Sequence, residues 1–399
     1  MLDYLSYILF FGTITILIVY AYIRLKFGFW VIQPVFHIYD IQYMLKAPGI
    51  INDYLPEKNK YTNFTNIETL IFSQLTELQT QRFISLIQQH YLQNKANVFS
   101  PQSENIVPYL TGHNSKPLVS LYTEEYHMMD LKKGTTVTDG RVIGAMTTRP
   151  VYVSINNGDS EAKFSAYYVD YLCVDKSHRK KGIAPQLIQT HHYNQRRLNK
   201  NTVVSIFKRE EELTGIVPLC VYSTYGFKVD TWTKPTDLSP VYKLVEINAQ
   251  NFHLLFSFMI THNKKFDIII NTEAANIIEL IKTKNIFIYV IIAEDNIISA
   301  YFFRKSCVQI EKGMEVLSCF ASISNTDNDV FIQGFKVSFW KIAADNFFGF
   351  AAIEDISDNV IILENIRMKT KPLIVSPTAY FFYNFGYPTF KANRVLIIN

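Results

Sequence analysis

The segment VDYLCVDKSHRKKGIAPQLI, residues 169–188, constrains the fold of this chain more than any other stretch. Its apolar start predicts a strand and its end an amphipathic helix, with Arg179, Lys180, Lys181 and Gly182 between them. A helix N-terminus offers free N–H groups and a positive dipole end, and glycine lets the backbone approach a ligand closely. The segment therefore predicts a site for a pyrophosphate group. The alternative is a basic, solvated helix start.

The composition excludes several classes of protein. A chain of 399 residues suits two or three domains, and its 48% hydrophobic residues exclude wholesale disorder. The net charge of +4 is too balanced for a protein that coats nucleic acid, so no nucleic-acid partner is expected. The four cysteines are far apart in sequence and form no CxxC pair, so we expect free thiols and no metal site.

The N-terminal residues 4–23 contain no charged side chain. About 20 apolar residues span a bilayer as a helix, so this stretch predicts one transmembrane helix. Asp3 precedes it and Arg24 and Lys26 follow it, which argues against a cleaved signal peptide. By the positive-inside rule, we expect a single-pass membrane protein whose remaining residues face the cytosol.

The remaining chain shows two successive units of similar order. Helical spacing is indicated over residues 62–95, strands over 118–126, 141–150, 151–156 and 163–174, a helix over 183–198 and a strand over 202–208. The second unit shows a helix over 248–263, a hairpin over 286–305, a strand over 315–324, a helix over 330–346, and strands over 347–354 and 379–385. These patterns predict a duplicated α/β chain with three parts, 1–26, 27–236 and 237–399.

Three motifs carry a family resemblance. The pattern R-x-x-G-x-A at 179–184 is similar to the acyl-CoA loop of the Gcn5-related acetyltransferase superfamily. Together with LCV before it and AP-x-LI after it, the stretch resembles NFLCVHKKLRSKRxAPxLI of the glycylpeptide N-tetradecanoyltransferase (N-myristoyltransferase) family. FWVIQPV at 29–35 resembles the family's FWxTQPV, and the chain end 380–399 resembles YYLYNW…VGLVLQ. The resemblance implies an α/β (α+β) fold, a tandem pair of acetyltransferase-like halves with a mixed central sheet, here preceded by the predicted transmembrane helix.

The resemblance also implies a role for each matching residue. Catalytic roles are implied for the backbone N–H groups of Tyr171 and Leu172 as oxyanion hole and for the C-terminal carboxylate of Asn399 as general base. Asp170 is a further catalytic candidate. The alternative is that its carboxylate has only a structural role at the end of the strand. Contacts to acyl-CoA, myristoyl-CoA in the family, are implied for Phe29, Trp30, Gln33, Cys173, Val174, Arg179, Lys180, Lys181, Gly182, Ile183, Ala184 and Pro185, with His37 as a further candidate.

The chain departs from the family at its acceptor site. Asp170 stands where the family has asparagine, the stretch 205–208 replaces Tyr-Thr-Ala-Gly, and residues 90–106 lack the family's acidic run. The preferred interpretation is a membrane-anchored acyl-CoA N-acyltransferase acting on a peptide or protein N-terminal glycine. The alternatives are a catalytically inactive structural or membrane-assembly protein of a large DNA virus, residing in a host or virion membrane, and a short-chain N-acetyltransferase.

Overall fold

The computed structural model describes residues 2–26, 28–92, 98–130, 135–158, 160–211, 214–310 and 313–399. The helices of these ranges are α1 Leu2–Lys26, α2 Ile41–Leu45, α3 Glu77–His90, α4 Ser103–Ile106, α5 Ile183–Leu198, α6 Phe252–Thr261, α7 Ala274–Lys282, α8 Asn328–Asn346 and α9 Asn359–Lys369. The strands are β1 Gly49–Ile50, β2 Ile67–Ile71, β3 Val98–Phe99, β4 Leu118–Asp130, β5 Thr135–Asn157, β6 Ser160–Val174, β7 Val204–Glu210, β8 Cys220–Lys228, β9 Lys243–Glu246, β10 Ile268–Asn271, β11 Ile286–Ala293, β12 Asn296–Gln309, β13 Glu315–Ser324, β14 Phe350–Glu354, β15 Ile374–Tyr383, β16 Phe385–Gly386 and β17 Val395–Ile398.

One large mixed sheet organises the molecule. Within the described ranges, fifteen strands form it in the order β17-β10-β5-β6-β7-β15-β8-β14-β13-β12-β11-β9, with β4 beside β5, β2 beside β4 and β3 beside β12. The pairs β6/β7, β13/β14 and β10/β17 are parallel. Parallel neighbours need a crossover connection, and α5 and α8 supply it for the first two pairs. The mixed α/β fold expected from the sequence is confirmed.

In each unit, two parallel strands separate before the first of them ends. β6 pairs with β7 only as far as Val169↔Phe207, although β6 continues to Val174. β13 likewise pairs with β14 only as far as Cys319↔Ile353 and then continues to Ser324. A pair that separates before its strands end leaves backbone groups facing a gap. The first gap lies directly before the basic loop and α5.

Strands from before residue 237 and strands from after residue 236 alternate within the sheet. β8 lies between β15 and β14, and β15 lies between β7 and β8. β10 pairs with β5 over Ile268↔Ile155, and β17 continues the sheet beyond β10. The two units therefore share one sheet.

Helices cover both faces of the second unit. Phe287 of β11 faces a cluster with residues of α8 and α9, whereas its neighbour Ile288 faces a cluster with residues of α6 and α7. Successive strand side chains point to opposite faces, so a strand buried on both faces has a continuous apolar sequence. This explains the run IFIYVIIA of β11.

The region expected to be helical over 62–95 is helical only in its second part. Ile67–Ile71 is strand β2, paired with β4, because its β-branched and apolar residues fit the sheet edge. The helix α3 begins after Thr76, whose hydroxyl and Gln79 form a capping box, and buries Phe83 and Ile87. The two strands expected over 141–150 and 151–156 are one continuous strand, β5.

The apolar N-terminal stretch forms helix α1 of 25 residues. Its apolar side chains between Tyr4 and Tyr22 are exposed wherever the structure describes them. Among the described residues, no helix meets the combined length and hydropathy expected of a membrane-spanning helix.

Candidate active site

A β-bulge lies where the sequence predicts the oxyanion hole. The register of β5 and β6 passes from Met146↔Leu172 to Thr148↔Val169, so Asp170 and Tyr171 oppose the single residue Thr147. Such bulges increase local twist and redirect side chains and backbone groups beside active sites. The N–H of Tyr171 donates to the hydroxyl of Thr147 at 3.2 Å. One of the two expected oxyanion donors is therefore engaged within the protein.

The Asp170 side chain is paired with a buried arginine. Arg149 Nε lies 3.0 Å from both carboxylate oxygens, and the guanidinium lies over the rings of Tyr109 and Tyr168 at 5.5 and 5.3 Å. Burial raises the pKa of Asp170, and the charge of Arg149 opposes that rise. Arg149 is 1% exposed, and its Nη1 has no hydrogen-bond partner among the described residues.

Asn399, the residue expected to supply the general base, lies inside the protein. β17 is buried along its length and pairs with β10 up to Asn271↔Ile398, so Asn399 follows the last paired residue. Asn399 is only 3% exposed. Arg304 Nη2 donates to the terminal backbone oxygen of Asn399 and, at 3.1 Å, to its side-chain Oδ1. Asn399, which is expected to supply the general base, is thus held by the half-buried guanidinium of Arg304.

A half-buried lysine occupies the stretch that replaces Tyr-Thr-Ala-Gly. Lys208 follows Phe207, the last residue of β7 that pairs with β6, and its Nζ lies 3.0 Å from carboxylates of Glu210 and Glu354. Burial lowers the pKa of Lys208, but the two carboxylates outweigh it and raise that pKa well above its usual value. Tyr222 also donates to Glu354. Arg149 and Lys208 therefore each have carboxylate partners, whereas Arg304 contacts Asn399.

Hydrogen bonds and ion pairs of its first residues hold the basic loop in place. Asp175 accepts from the N–H and hydroxyl of Ser177 at 2.8 and 2.7 Å, and Arg141 Nη2 lies 2.5 Å from it. Burial alone would raise the pKa of Asp175, but these hydrogen bonds and nearby positive charges lower it to about 2. Arg179 donates to the carbonyls of His90 and Val174 at 2.6 and 3.3 Å, which fixes the loop against α3.

Lys180, Lys181 and Gly182 are exposed at the end of this loop. Gly182 has φ +76° and caps α5, a backbone conformation that favours glycine. Ile183 is buried, and the half-buried Ala184 and Pro185 complete the first turn. The structure thus brings the predicted bases and the helix N-terminus together at one surface, with Arg179 serving the loop itself.

The residues expected at the CoA entrance form an aromatic and amide cluster. Trp30 stacks on Phe207 at 6.0 Å between ring centroids, and Phe29 packs edgewise on Trp30 at 5.1 Å. Gln33 is buried, donates to Gln189 at 3.2 Å and accepts from the hydroxyl of Tyr383. A cavity of about 230 Å³ adjoins Gln33 and is lined also by Lys58, His192 and Arg196.

Other candidates have structural partners. His37 is buried, and its Nδ1 lies 3.3 Å from Asp40 of the next turn. Cys173 is buried beneath α3, and burial raises the pKa of its thiol to about 12. Val174 ends β6. His191 is bonded to the hydroxyls of Ser120 and Thr148, each at 2.8 Å.

Sequence reasoning did not single out Thr147, Arg149 or Arg304 as site residues. Each lies in a largely apolar stretch of sequence: Thr147 and Arg149 in RVIGAMTTRP, and Arg304 in AYFFRK. A charged residue within a buried apolar run needs a partner, because an isolated buried charge is very costly. That signal marks the two arginines, but only the fold shows that their partners are Asp170 and the chain end.

Comparisons with known proteins agree with this geometry. Residues 57–220 match the family model of the N-terminal domain of myristoyl-CoA:protein N-myristoyltransferase. A crystal structure of Saccharomyces cerevisiae N-myristoyltransferase with bound myristoyl-CoA superimposes with a TM-score of 0.71 at 12% identity, covering 92% of this chain and 94% of that chain. A second such structure, also at 12% identity, gives 0.70 and covers 92% and 89%. No curated protein matches the sequence significantly. The resemblance inferred from the sequence is confirmed.

Proposed function

We propose that this chain, which carries the N-terminal domain of the N-myristoyltransferase family of acyltransferases, moves a fatty acyl group from acyl-CoA to an N-terminal amine. One observation carries the proposal. The bulge at Asp170–Tyr171 lies where β6 parts from β7, and the same strand leads straight into the basic loop and α5. A thioester bound with its phosphates at that loop would present its carbonyl along the last residues of β6.

The chemistry follows from groups in this chain. Lys180, Lys181 and the α5 N-terminus hold the CoA phosphates, as cations and free N–H groups do. The acceptor nitrogen attacks the thioester carbonyl, and backbone N–H groups of Tyr171 and Leu172 stabilise the oxyanion. The Asn399 carboxylate takes the amine proton. The C–N bond is then formed, the C–S bond breaks, and CoA leaves as its thiolate.

No cysteine nucleophile enters this scheme. Cys173 is the cysteine nearest the bulge in sequence, but it is buried and its thiol is held neutral by a pKa of about 12. Only the thiolate is a strong nucleophile, so a thiol of this kind is inert at neutral pH. Direct attack by the amine requires no such intermediate.

Membrane attachment through α1 belongs to the proposal. Its exposed apolar side chains include Phe10, Phe11, Leu17 and Ile18. Placing such side chains in lipid removes apolar area from water. The predicted CoA entrance begins at Phe29, three residues after the end of α1, which would place it near the membrane surface. A fatty acyl-CoA concentrates at that surface.

A second candidate function is an inactive descendant with a structural role. Three contacts favour it: the Tyr171 N–H donates to Thr147, Asn399 accepts from Arg304, and the half-buried Lys208 pairs with carboxylates beside the point where β6 and β7 separate. Each of these groups is partnered within the protein. A short-chain N-acetyltransferase is a third candidate, distinguished by the length of the acyl chain that binds.

Calorimetry with acetyl-, octanoyl- and myristoyl-CoA, paired with transfer to a glycine-initiated peptide, tests the proposal. We expect tightest binding for the longest chain and transfer that requires a free chain end. A variant with two glycines added after Asn399 should bind acyl-CoA normally and lose transfer, since the carboxylate moves. Absence of acyl-CoA binding supports the structural role, and full turnover in the extended variant refutes Asn399 as base.

A further inference from the structure

Arg196, near the carboxyl end of α5, is a buried cation that lacks an anionic partner. It is 2% exposed, and its guanidinium donates at 3.4, 3.0 and 3.4 Å to the backbone carbonyls of Asn52, Asp53 and Tyr54. Among the described residues, no carboxylate forms an ion pair with it and its Nε has no hydrogen-bond partner. The exposed Asp53 carboxylate acts on it only through space. A buried charge is costly unless it is paired, so this position favours a bound anion.

The same arginine lines a cavity of about 230 Å³, here called the α5 cavity, which is bounded by α5 and by residues 32–34 and 52–59. Lys58 also lines it, with its Nζ 5.1 Å from the centroid of the Phe64 ring and without an ion pair in the described part of the chain. Glu57 is the acid of the lining, and it is exposed. Two cations and one acid give the α5 cavity a positive net charge.

Two buried side chains bring further hydrogen-bonding groups to the α5 cavity. Gln189 is 4% exposed, and its Oε1 accepts from Gln33, whereas its Nε2 has no partner within the described ranges. His192 is 8% exposed and packs edgewise on Tyr383, and no described residue is hydrogen-bonded to its ring nitrogens. Because an unsatisfied buried donor is costly, a ligand that accepts from Gln189 would be stabilised here.

The direction of these donors favours a phosphate group over a carboxylate. Gln189 and Arg196 approach from α5, whereas Lys58 approaches from the opposite wall. The acceptor sites of a carboxylate lie in one plane, whereas the oxygens of a phosphate point in several directions and can accept from both walls.

The α5 cavity is separate from the basic loop. At 1.5 Å per residue, Gln189 lies about 9 Å and Arg196 about 20 Å along the helix from its first residue, Ile183. The carboxyl end of a helix does not attract anions, so binding here depends on the side chains and not on the helix dipole.

We propose that the α5 cavity binds a phosphate group, as inorganic phosphate or as a small phosphate monoester, with Arg196 and Lys58 as its cations and Gln189 as its neutral donor. This site is independent of acyl transfer. Because Arg196 also binds the backbone of residues 52–54, a phosphate held beside it stabilises the contact between that segment and α5.

Calorimetry with inorganic phosphate, at an ionic strength held constant with NaCl, tests the site. The protein is the double variant Lys180→Ala, Lys181→Ala, because phosphate would otherwise also bind the basic loop. We expect one phosphate per chain, weaker binding of acetate, and an unfolding temperature that rises with phosphate concentration. A parallel titration with glycerol 3-phosphate separates the two sources: tighter binding than inorganic phosphate identifies a monoester, and weaker binding identifies the free ion. Absence of phosphate binding overturns the proposal.

Single substitutions locate the phosphate. In the same background, Lys58→Ala should weaken binding about fivefold, as expected for an exposed ion pair. Lys60→Ala is the matched control, because Lys60 lies equally 5.1 Å from a ring, that of Tyr61, but does not line the α5 cavity. Arg196→Gln should weaken binding at least about tenfold. If that variant does not fold, the two lysine variants decide, and equal affinities in them overturn the proposal.

Two further measurements separate this site from the donor site. Phosphate should shift the imidazole NMR signals of His192 and leave those of the exposed His253 unchanged. In the wild-type protein, saturating acyl-CoA should leave the phosphate-induced shift of His192 intact. Competition between the two ligands would assign the α5 cavity to the acyl donor and overturn a separate site. If acyl-CoA does not bind at all, the proposed function fails, whereas phosphate binding in the double variant still supports this site.

Discussion

At the scale of single residues, the site is defined by which hydrogen-bond donors are free. The Thr147 hydroxyl is fully buried and accepts from the N–H of Tyr171, at the bulge where that N–H would otherwise face a ligand. A backbone N–H that must first break a hydrogen bond stabilises an oxyanion less than a preorganised N–H does. In the proposed oxyanion hole, Thr147 would therefore compete with the oxyanion for the Tyr171 N–H.

Replacing Thr147 by valine keeps its shape and removes its acceptor. We expect kcat for acyl transfer to rise severalfold, because the Tyr171 N–H becomes free to meet the oxyanion. Binding of acyl-CoA should be nearly unchanged. Single-turnover rates of Thr147→Val and of Thr147→Ser, which keeps the hydroxyl, make the comparison; equal rates in all three proteins would exclude this role.

Asp170 provides a second prediction at this scale. Replacing it by asparagine, the family's residue, leaves Arg149 buried without its anion. Breaking a buried ion pair costs roughly 3–5 kcal/mol, so the free energy of unfolding should fall by about that amount. Urea unfolding of Asp170→Asn beside Asp267→Asn, a half-exposed partner of Arg394, checks this. A loss under about 1 kcal/mol would contradict a structural role for the pair.

At the scale of elements, the basic loop and α5 combine two functions. The exposed bases Lys180 and Lys181 precede the helix, while its buried face packs His191 against β4 and β5 and His192 against Tyr383 of β15. The helix N-terminus is thus available to a ligand because the rest of the helix is anchored in the core.

Replacing Lys180 and Lys181 together by alanine should weaken acyl-CoA binding at least about tenfold, since each charge-assisted phosphate contact is lost. The effect of added salt on affinity should shrink in parallel, because fewer charges are screened. Alanine at Lys282 and Lys284, exposed near the end of α7, serves as the control. If calorimetry finds equal acyl-CoA affinity in both double variants, the loop is not part of the binding site.

The buried histidines of α5 make the fold sensitive to acid. Burial lowers the pKa of His191 and of His192 to about 3, so below pH 6.5 the unfolded chain binds protons that the folded chain does not. Stability is therefore lost as pH falls, by about 1.4 kcal/mol per histidine at pH 5.5 relative to pH 7.5. Urea titrations at both pH values should show a loss smaller by about 1.4 kcal/mol in His191→Gln and an unchanged loss in His253→Gln, which is exposed.

At the scale of the whole molecule, interleaved strands make the two units interdependent. β15 lies between β7 and β8, and β14 lies beside β8, so each unit completes the sheet of the other. Fragments 27–236 and 237–399 should each fail to fold alone, because β7 and β8 would become unpaired apolar edges. Amide dispersion in NMR spectra of each fragment checks this, and mixing the two should restore it. A well-dispersed spectrum of either fragment alone would disprove it.

The sequence alone determined the elements and the ligand loop. Alternating and helical apolar spacing are local properties, and the order R-x-x-G-x-A before a helix places cations at a dipole end whatever surrounds them. The apolar stretch 4–23 likewise determined the helix α1 from composition alone. The strand β2 was missed because a short apolar run has no periodicity that separates helix from strand.

Only the tertiary structure decided which charges meet. Arg149 and Asp170 are 21 residues apart, Arg304 and Asn399 are 95 apart, and Lys208 and Glu354 are 146 apart. Strand register sets these pairings, and register depends on long-range packing that no local pattern contains. A buried charge in the sequence signals that a partner exists, because leaving it alone is too costly, but the fold alone supplies its identity.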